Sequence, residues 1–510
     1  MKDQSRIAKS IVLVTLVTLF TKVLGLIKQA VLAAYCGATN ETDAFFIATG
    51  IISQLCVVVF SAISISLLSI HTNCLVNEGR KKSNILINGA LRLFLPISIC
   101  ISILFFVGAP VASRLFAPSF SNEKLIVLSH YIRIMSCSFV LWCYYLIVNV
   151  VLESDKSFLP GRAYSFFQNS FLTLGAIFLY KRYGMSALVY GFLLSGLAQC
   201  VLVTICARKK IRILFHRIEI SRNLKELIKI SIPLIIGNAI YEINDIIDKQ
   251  ISSSIGDGNV SYLTYGGTIN EIVTGVVVAS VSTVIFAHFA TWIAEGKMEM
   301  VSDNLSRVIQ YLSIIIFPIM VMCIVSGDLI LTILYGRGNF GASDIKNTYG
   351  VVIGYAIGFI FQAARANLVK VYYAFKDTKR PMINGAISVG INIILSYVLS
   401  RFLGASGIAI ATSIAMVIVT FLLIKDIKRY LPMFSIKSCI SECCKGLLAS
   451  LVSAVALMCL RTVLHINIYI DLIVEGMVVL VLYMTMLILF RSYCARRILV
   501  VIKARIKRTN

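Results

Sequence analysis

Two lysines interrupt the first apolar segment of the chain. In the stretch LFTKVLGLIKQAVLAAYCG, which begins at Leu19, Lys22 and Lys28 occupy the middle of a sequence long and apolar enough to span a membrane. A charged side chain at the bilayer centre costs at least about 2.5 to 3.5 kcal/mol, so it usually faces a protein interior or a wet cavity. A bend at Gly25 would turn both lysines toward one cavity. We interpret them as candidate contacts for an anionic ligand, with pairing to buried carboxylates as the alternative.

Five further basic residues lie within apolar segments. Three of these are Lys249, Arg365 and Lys370, which we interpret as charges that face a cavity. Arg92 and Arg133 lie within about two turns of a helix end, so their side chains could reach the headgroup region instead. The deep cations predict a cavity that holds negative charge.

Three carboxylates form a second candidate group. The stretch YEINDIIDKQ places Glu242, Asp245 and Asp248 at spacings of three, along one side of a helix. Ionised carboxylates crowded inside a membrane repel one another, and a bound cation or proton would relieve that repulsion. The pattern therefore predicts a coupling site for Na⁺ or H⁺, while pairing with Lys249 is an equally good structural explanation.

The composition identifies the class of protein that must position these residues. The chain has 510 residues, of which 58% are hydrophobic and 14% charged, whereas soluble domains carry roughly 25% charged residues. We therefore predict an all-α polytopic membrane protein. About fourteen apolar segments of spanning length follow one another, from 9–36 to 468–490, and include 160–180 and 260–293.

The distribution of positive charge predicts the orientation of the chain. The net charge is +24, and most of the 48 Lys and Arg residues fall in the N-terminus, the even-numbered loops and the C-terminal tail. The positive-inside rule then places both termini in the cytoplasm. Attraction to anionic membrane lipids accounts for the basic clusters, so no nucleic-acid partner is predicted.

The chain repeats itself at an offset of about 220 residues, the kind of internal duplication on which many transporter folds are built. FLPGRA around Pro160 corresponds to TKRPMINGA around Pro381, and the glycine-led stretch after Gly184 corresponds to the one after Gly404. The repeat unit holds six helices, an even number, so the two copies share one orientation. We predict two six-helix bundles, at 1–220 and 221–430, followed by two additional helices and a basic cytoplasmic tail at 431–510.

Several function classes are disfavoured by what the sequence contains. The fourteen cysteines show no metal-ligand spacing, no HExxH or GxxxxGK[ST] motif occurs, and the loops offer no paired catalytic carboxylates. We predict no enzyme activity, no catalytic residues and no cofactor or metal beyond a coupling cation. A cation-lined cleft open to lipid suits a pyrophosphate headgroup, whereas a small-molecule antiporter and a membrane glycosyl or polymer ligase are the alternatives.

Several stretches resemble the MurJ/MviN lipid II flippases, members of the MATE-like multidrug/oligosaccharidyl-lipid/polysaccharide exporter superfamily. These stretches are LFTKVLGLIKQAVLAAYCGATNETDAFFIA, INDIIDKQISSSIGDGNVSYLTYGGTINE, ILYGRGNFGASD, YYAFKDTKRPMIN and GINIILSYVLSRFLGASGIAIATS. The resemblance implies that the chain moves an undecaprenyl-pyrophosphate-linked peptidoglycan precursor, lipid II, across the cytoplasmic membrane by alternating access. A flippase for another lipid-linked oligosaccharide is the close alternative.

The resemblance also implies a set of substrate contacts. The family typically carries arginines where this chain has Lys22 and Lys28. Two further family arginines, near Cys56 and near Thr268, are replaced. Because lysine cannot make the bidentate phosphate contact of arginine, another lipid-linked glycan is the alternative substrate. The predicted substrate-binding residues are Lys22, Lys28, Asp43, Glu271, Arg365 and Lys370.

In some family members, residues of helices 7, 11 and 12 form an arrangement that resembles a Na⁺-binding site. The matching positions here are Asp245 or Asp248 with Asn392, Ser396 and Thr412, and Ser396 replaces an expected carboxylate. Together with Glu242, these are the predicted ion-coupling residues.

Overall fold

The computed structural model describes residues 2–211, 222–278, 288–289, 291–463 and 466–497. All regular secondary structure in these ranges is helical, which confirms the predicted all-α class. The chain divides into two compact units, each described separately below. Unit 1 comprises Met1–Ser261 with Arg337–Phe340, and unit 2 comprises Tyr262–Gly336 with Gly341–Asn510.

Unit 1 is built from long helices joined by short turns. Its helices are α1 (Lys2–Cys36), α2 (Asn40–Asn77), α3 (Arg80–Val107), α4 (Ala109–Phe116), α5 (Asn122–Ser154), α6 (Leu159–Leu174), α7 (Ser186–Ala207), α8 (Arg222–Ile255) and the first turn of α9 (Asn259–Ile272). The unit extends past residue 220 because α8 packs against α2. The compact units therefore do not coincide with the bundle boundaries predicted from the repeat.

In its described residues, unit 2 holds the remainder of α9 and eight further helices of nine residues or more. These are α10 (Met298–Val325), α11 (Gly327–Tyr335), α12 (Ala342–Ala356), α13 (Phe359–Ala374), α14 (Lys379–Leu403), α15 (Ala405–Ile427), α16 (Ile436–Arg461) and α17 (Ile468–Leu489). The two predicted additional helices are α16 and α17. They pack on α10 and on each other.

The described residues contain eleven helices long and apolar enough to cross a membrane, or twelve when α12 and α13, bent by 44°, count as one span. The predicted segment 160–180 is not among them, although it is helical throughout: α6 continues through a π-helical turn, Gly175–Leu179, to Tyr183. The predicted segment 260–293 runs partly outside the described residues. A polytopic membrane fold is confirmed, and the count of fourteen stays a prediction.

The repeat is visible in the backbone geometry of each unit. α2 and α9 begin at Asn40 and Asn259; a π-helical turn interrupts α2 at Val57–Ser61, and one follows α9 at Val273–Val278. Lys156 and Lys376 have φ angles of 62° and 61° at the ends of α5 and α13. These departures from regular helix recur at nearly the offset of the predicted repeat, and the two six-helix bundles stay a prediction.

Small residues bring helices into close contact within unit 2. Gly350, Gly354 and Gly358 recur at spacings of four and face α15, where a Cβ added at Gly354 would lie 2.8 Å from the Cβ of Ala409. Lipid offers little hydrophobic driving force between helices, so close backbone packing of this kind stabilises membrane bundles. The stripe holds the bent pair α12 and α13 against α15.

Candidate functional site

Lys22 and Lys28 lie on α1, one side of which packs against α6. Asn169 of α6 donates from Nδ2 to the carbonyl oxygen of Thr21 at 3.1 Å. A Cβ at Gly25 would touch the same amide nitrogen, and the helix runs unbroken through this glycine. Lys22 is exposed and Lys28 is partly buried. Unit 1 therefore carries both predicted cations on a helix that a cross-helix hydrogen bond ties to α6 directly before Lys22.

Asp43 of α2 is an internal helix cap in this structure. Its Oδ2 accepts a hydrogen bond from the Gly258 backbone N–H at 2.7 Å, and its Oδ1 accepts from the backbone N–H and the hydroxyl of Ser261 at 2.8 and 2.6 Å. The side chain is 1% exposed. A carboxylate stabilises the positive end of a helix, here the start of α9. Its predicted contact with substrate stays a prediction.

Asp245 of α8 lies in an ion pair that also involves α2. Its Oδ2 accepts from Lys249 Nζ at 2.9 Å and from Gln54 Nε2 at 2.8 Å. Gly50 makes this arrangement possible, because a Cβ there would lie 2.6 Å from Lys249 Nζ. The pairing is the structural alternative that the sequence offered for this carboxylate.

Asp248 is the most buried carboxylate of the predicted acidic group. The residue is 6% exposed, and its Oδ2 accepts from Asn244 Nδ2 at 3.2 Å. Glu242, two turns earlier, is partly buried. Asp248 is therefore the carboxylate of this group least accessible to solvent, and its role in ion coupling stays a prediction.

The predicted substrate contacts of unit 2 occupy two helices. Arg365 and Lys370 are partly buried on α13, and Glu271 is exposed on α9. Thr268, near which the resemblance led us to expect an arginine, donates to the carbonyl oxygen of Thr264 at 3.1 Å. Its hydroxyl therefore bonds within its own helix and adds no positive charge.

The predicted ion-coupling residues of unit 2 meet where α14 packs on α15. Asn392 Nδ2 donates to Thr412 Oγ1 at 3.1 Å, and that hydroxyl donates to the carbonyl oxygen of Ile408. Ser396, one turn beyond Asn392, is fully buried. Oxygen ligands of this kind fit a hard cation such as Na⁺, but none of these three side chains supplies a negative charge.

An apolar groove of about 560 Å³ lies within unit 2. Its walls come from α10, α13, α15 and α16, and include Phe317, Phe361, Ala364, Ile424 and Leu447. The groove is almost wholly apolar, so it suits a hydrocarbon chain and offers nothing to a charged headgroup.

The first repeat carries hydroxyl side chains at two positions that correspond to residues lining this groove. Tyr144 and Thr204 correspond in the repeat to Ala364 and Ile424. Their hydroxyl groups form a hydrogen bond of 2.8 Å. The small and aliphatic residues of the second repeat leave space where the first has an aromatic ring. The two copies therefore differ in what they can bind.

Sequence reasoning missed an ion network at the end of α16. Arg461 contacts Asp328 at 2.7 Å and Glu475 at 3.4 Å, and also donates to the carbonyl oxygen of Val325. Glu475 is 1% exposed. The network joins α16 and α17 to the end of α10 and the start of α11. A buried glutamate in an apolar helix was the only signal in the sequence, and its partners lie in distant segments.

The chain is similar to known proteins both in sequence and in fold. The sequence profile of the family described as Lipid II flippase MurJ matches residues 32–484. A protein of Treponema pallidum, described as a probable lipid II flippase MurJ, is 25% identical over 456 residues, which cover 84% of this chain and 83% of the relative.

Two solved structures share the fold. A lipid II flippase MurJ in an inward closed conformation superposes with a TM-score of 0.82 at 24% identity, covering 94% of this chain and 99% of the other. An inward-facing MATE family multidrug transporter superposes with a TM-score of 0.69 at 10% identity, covering 81% and 95%. At these sequence identities the structural matches show the fold alone. The family profile shows more, because it matches residues 32–484 of the 510. The chain belongs to the lipid II flippase MurJ family.

Proposed function

We propose that the protein moves lipid II, a polyprenyl-pyrophosphate-linked glycan, across the bacterial cytoplasmic membrane by alternating access. The observation that carries the proposal is family membership over residues 32–484, which includes the helices that hold all the predicted site residues except Lys22 and Lys28. In this proposal the protein is a transporter and not an enzyme. Its task is to move a charged headgroup across the hydrocarbon core of the bilayer.

Two features of the described residues support this substrate class. Lys22 and Lys28 place positive charge on α1, as an anionic pyrophosphate requires. The apolar groove of unit 2 suits an isoprenoid chain that stays in lipid while the headgroup crosses. A drug antiporter would have less use for either feature.

Complementation tests the proposal. A bacterial strain depleted of its own lipid II flippase should regain growth when it produces this chain, and lipid II should become accessible on the outer leaflet. Protein that reaches the membrane in normal amounts and yet restores neither growth nor lipid II exposure would contradict the proposal.

A flippase for another polyprenyl-linked glycan is the second candidate. Lysines replace the family arginines at positions 22 and 28, and an ammonium group cannot make the bidentate contact that a guanidinium makes with phosphate. Competition for the purified protein between lipid II and a polyprenyl pyrophosphate that carries a different glycan separates the two candidates.

The charge asymmetry supports an orientation with both termini in the cytoplasm. Single cysteines introduced at Lys210 and Gly338 into a cysteine-free background should react with a membrane-impermeant thiol reagent from opposite sides. Labelling of both positions from the same side would exclude this orientation.

Transport is proposed to be coupled to Na⁺ or H⁺ through α8. Asp245 is already neutralised by Lys249, whereas Asp248 is more deeply buried. Asp248→Asn should therefore flatten the dependence of flipping on Na⁺ or pH in proteoliposomes, and Asp245→Asn should change it less. If both variants keep the full ion dependence, these carboxylates are structural.

A further inference from the structure

Three helices end in the same strained turn. Among the described residues, Lys156, Lys376 and Arg491 are the non-glycine residues with positive φ, at 62°, 61° and 53°. Each follows the last turn of a helix, respectively α5, α13 and α17. Side chains rarely adopt this conformation, and glycine is strongly preferred at the position. All three residues are nevertheless basic.

The hydrogen bonding of the three turns is identical. In the first, Lys156 N–H donates to the Glu153 carbonyl at 2.9 Å, and Ser157 N–H donates to the Leu152 carbonyl at 2.8 Å. The same pair of bonds occurs at Lys376 and at Arg491. This is the Schellman motif, which satisfies the last carbonyls of a helix. The turns therefore close in the same way whichever residue occupies the left-handed position.

Glycine occupies the same motif elsewhere in the chain. Gly296, with φ of 72°, makes the same two bonds, through its own N–H to Ile293 and through Lys297 N–H to Trp292. The proposed orientation places Gly296, Lys156, Lys376 and Arg491 on the cytoplasmic side. The positive-φ residues that it places on the outer side are all glycines in the described part of the chain: Gly37, Gly184, Gly256, Gly258, Gly338 and Gly404.

Electrostatics explains why a cation would replace glycine on one side only. A helix C-terminus carries partial negative charge, and the cytoplasmic leaflet carries anionic lipid. A helix that ends there brings two negative features together. A lysine or arginine at the left-handed position lies between them and can bind a lipid phosphate.

We propose that Lys156, Lys376 and Arg491 bind the phosphate groups of anionic phospholipids in the cytoplasmic leaflet. All three side chains are exposed. Phe158 and Leu159, which follow Lys156, are 43% and 42% exposed, as suits a segment in contact with lipid. The inference rests on the proposed orientation but needs no substrate to be bound.

Glycine substitution provides a sharp test, because it removes the charge and relieves the backbone strain at once. The variant K156G/K376G/R491G and the wild type are reconstituted in nanodiscs of phosphatidylcholine with 0 or 40% phosphatidylglycerol, and melting temperatures are measured. In phosphatidylcholine alone, the variant should melt about 1 to 3 °C above the wild type because its turns are relaxed. The increment that phosphatidylglycerol adds to the wild type should fall by at least half.

A matched control separates this site from general surface charge. Lys209→Gln, Lys428→Gln and Lys437→Gln together remove three exposed lysines from the same side of the membrane without touching a left-handed turn. This control should keep most of the phosphatidylglycerol increment, and K156R/K376R should keep all of it. Equal losses in the control and the glycine variant, or an unchanged increment in the glycine variant, would overturn the proposal.

The source of the phosphate is tested in a second arm. Undecaprenyl pyrophosphate is added to nanodiscs of phosphatidylcholine alone, and it should stabilise the wild type and the glycine variant equally. If only the wild type is stabilised, the residues bind the substrate headgroup, and the phospholipid assignment is wrong. Neither arm measures transport, so a failure of the proposed function would not be mistaken for a failure here.

Discussion

A Lys22→Gln, Lys28→Gln double variant is expected to lose flipping and to bind lipid II about 100-fold or more weakly. Each hydrogen bond to a charged group contributes about 1.5 to 3 kcal/mol, so the loss of two such contacts with a pyrophosphate exceeds that factor. Lys→Arg at either position should preserve or improve activity, because charge is kept and bidentate geometry is gained. Lys→Glu should abolish binding by repelling the headgroup.

The rival explanation makes a different prediction for the same proteins. If each lysine only neutralises a buried carboxylate, Lys→Gln should lower the melting temperature, and a paired carboxylate-to-amide change should restore it. Ligand affinity and melting temperature are therefore measured on the same purified variants. Normal lipid II affinity in the double variant would end the headgroup hypothesis.

Asp43→Ala is expected to destabilise unit 1 by about 2 to 4 kcal/mol. It removes a charged helix cap and leaves the buried backbone N–H groups of Gly258 and Ser261 without their acceptor. The melting temperature of the purified protein should fall by several degrees. Ser261→Ala is the matched control, since it removes the hydroxyl contact alone and keeps the carboxylate on both backbone groups.

The cap and the predicted substrate contact can be told apart with the same variant. As a cap, Asp43 should affect stability first, and the surviving folded protein should bind lipid II with nearly normal affinity. A melting temperature equal to that of the wild type together with a large loss of affinity would assign the residue to the substrate instead.

The helical fold could be predicted from the sequence because the bilayer fixes both the length and the apolarity of a spanning segment. The duplication was predicted because the helix starts at Pro160 and Pro381 retain recognisable residues. The separate span at 160–180 was harder to judge, because polar residues such as Arg162, Gln168 and Asn169 interrupt its apolar composition.

The candidate site was only partly readable for a related reason. Local spacing predicted that Asp245 and Lys249 could pair, since they lie one turn apart on one helix. The cap that Asp43 provides joins residues more than 200 positions apart, and the room for Lys249 depends on the absence of a side chain at Gly50. Such contacts arise from packing, which a single sequence does not display.

The network around Arg461 has a consequence for biosynthesis. Glu475 lies in an apolar helix, and a charged side chain that enters the bilayer alone costs about 2.5 to 3.5 kcal/mol. Arg461 precedes it in the chain and contacts it directly, and Asp328 emerges from the ribosome earlier still. During translation, α17 would therefore leave the translocon most readily as a hairpin with α16, once the end of α10 is already in place to receive the arginine.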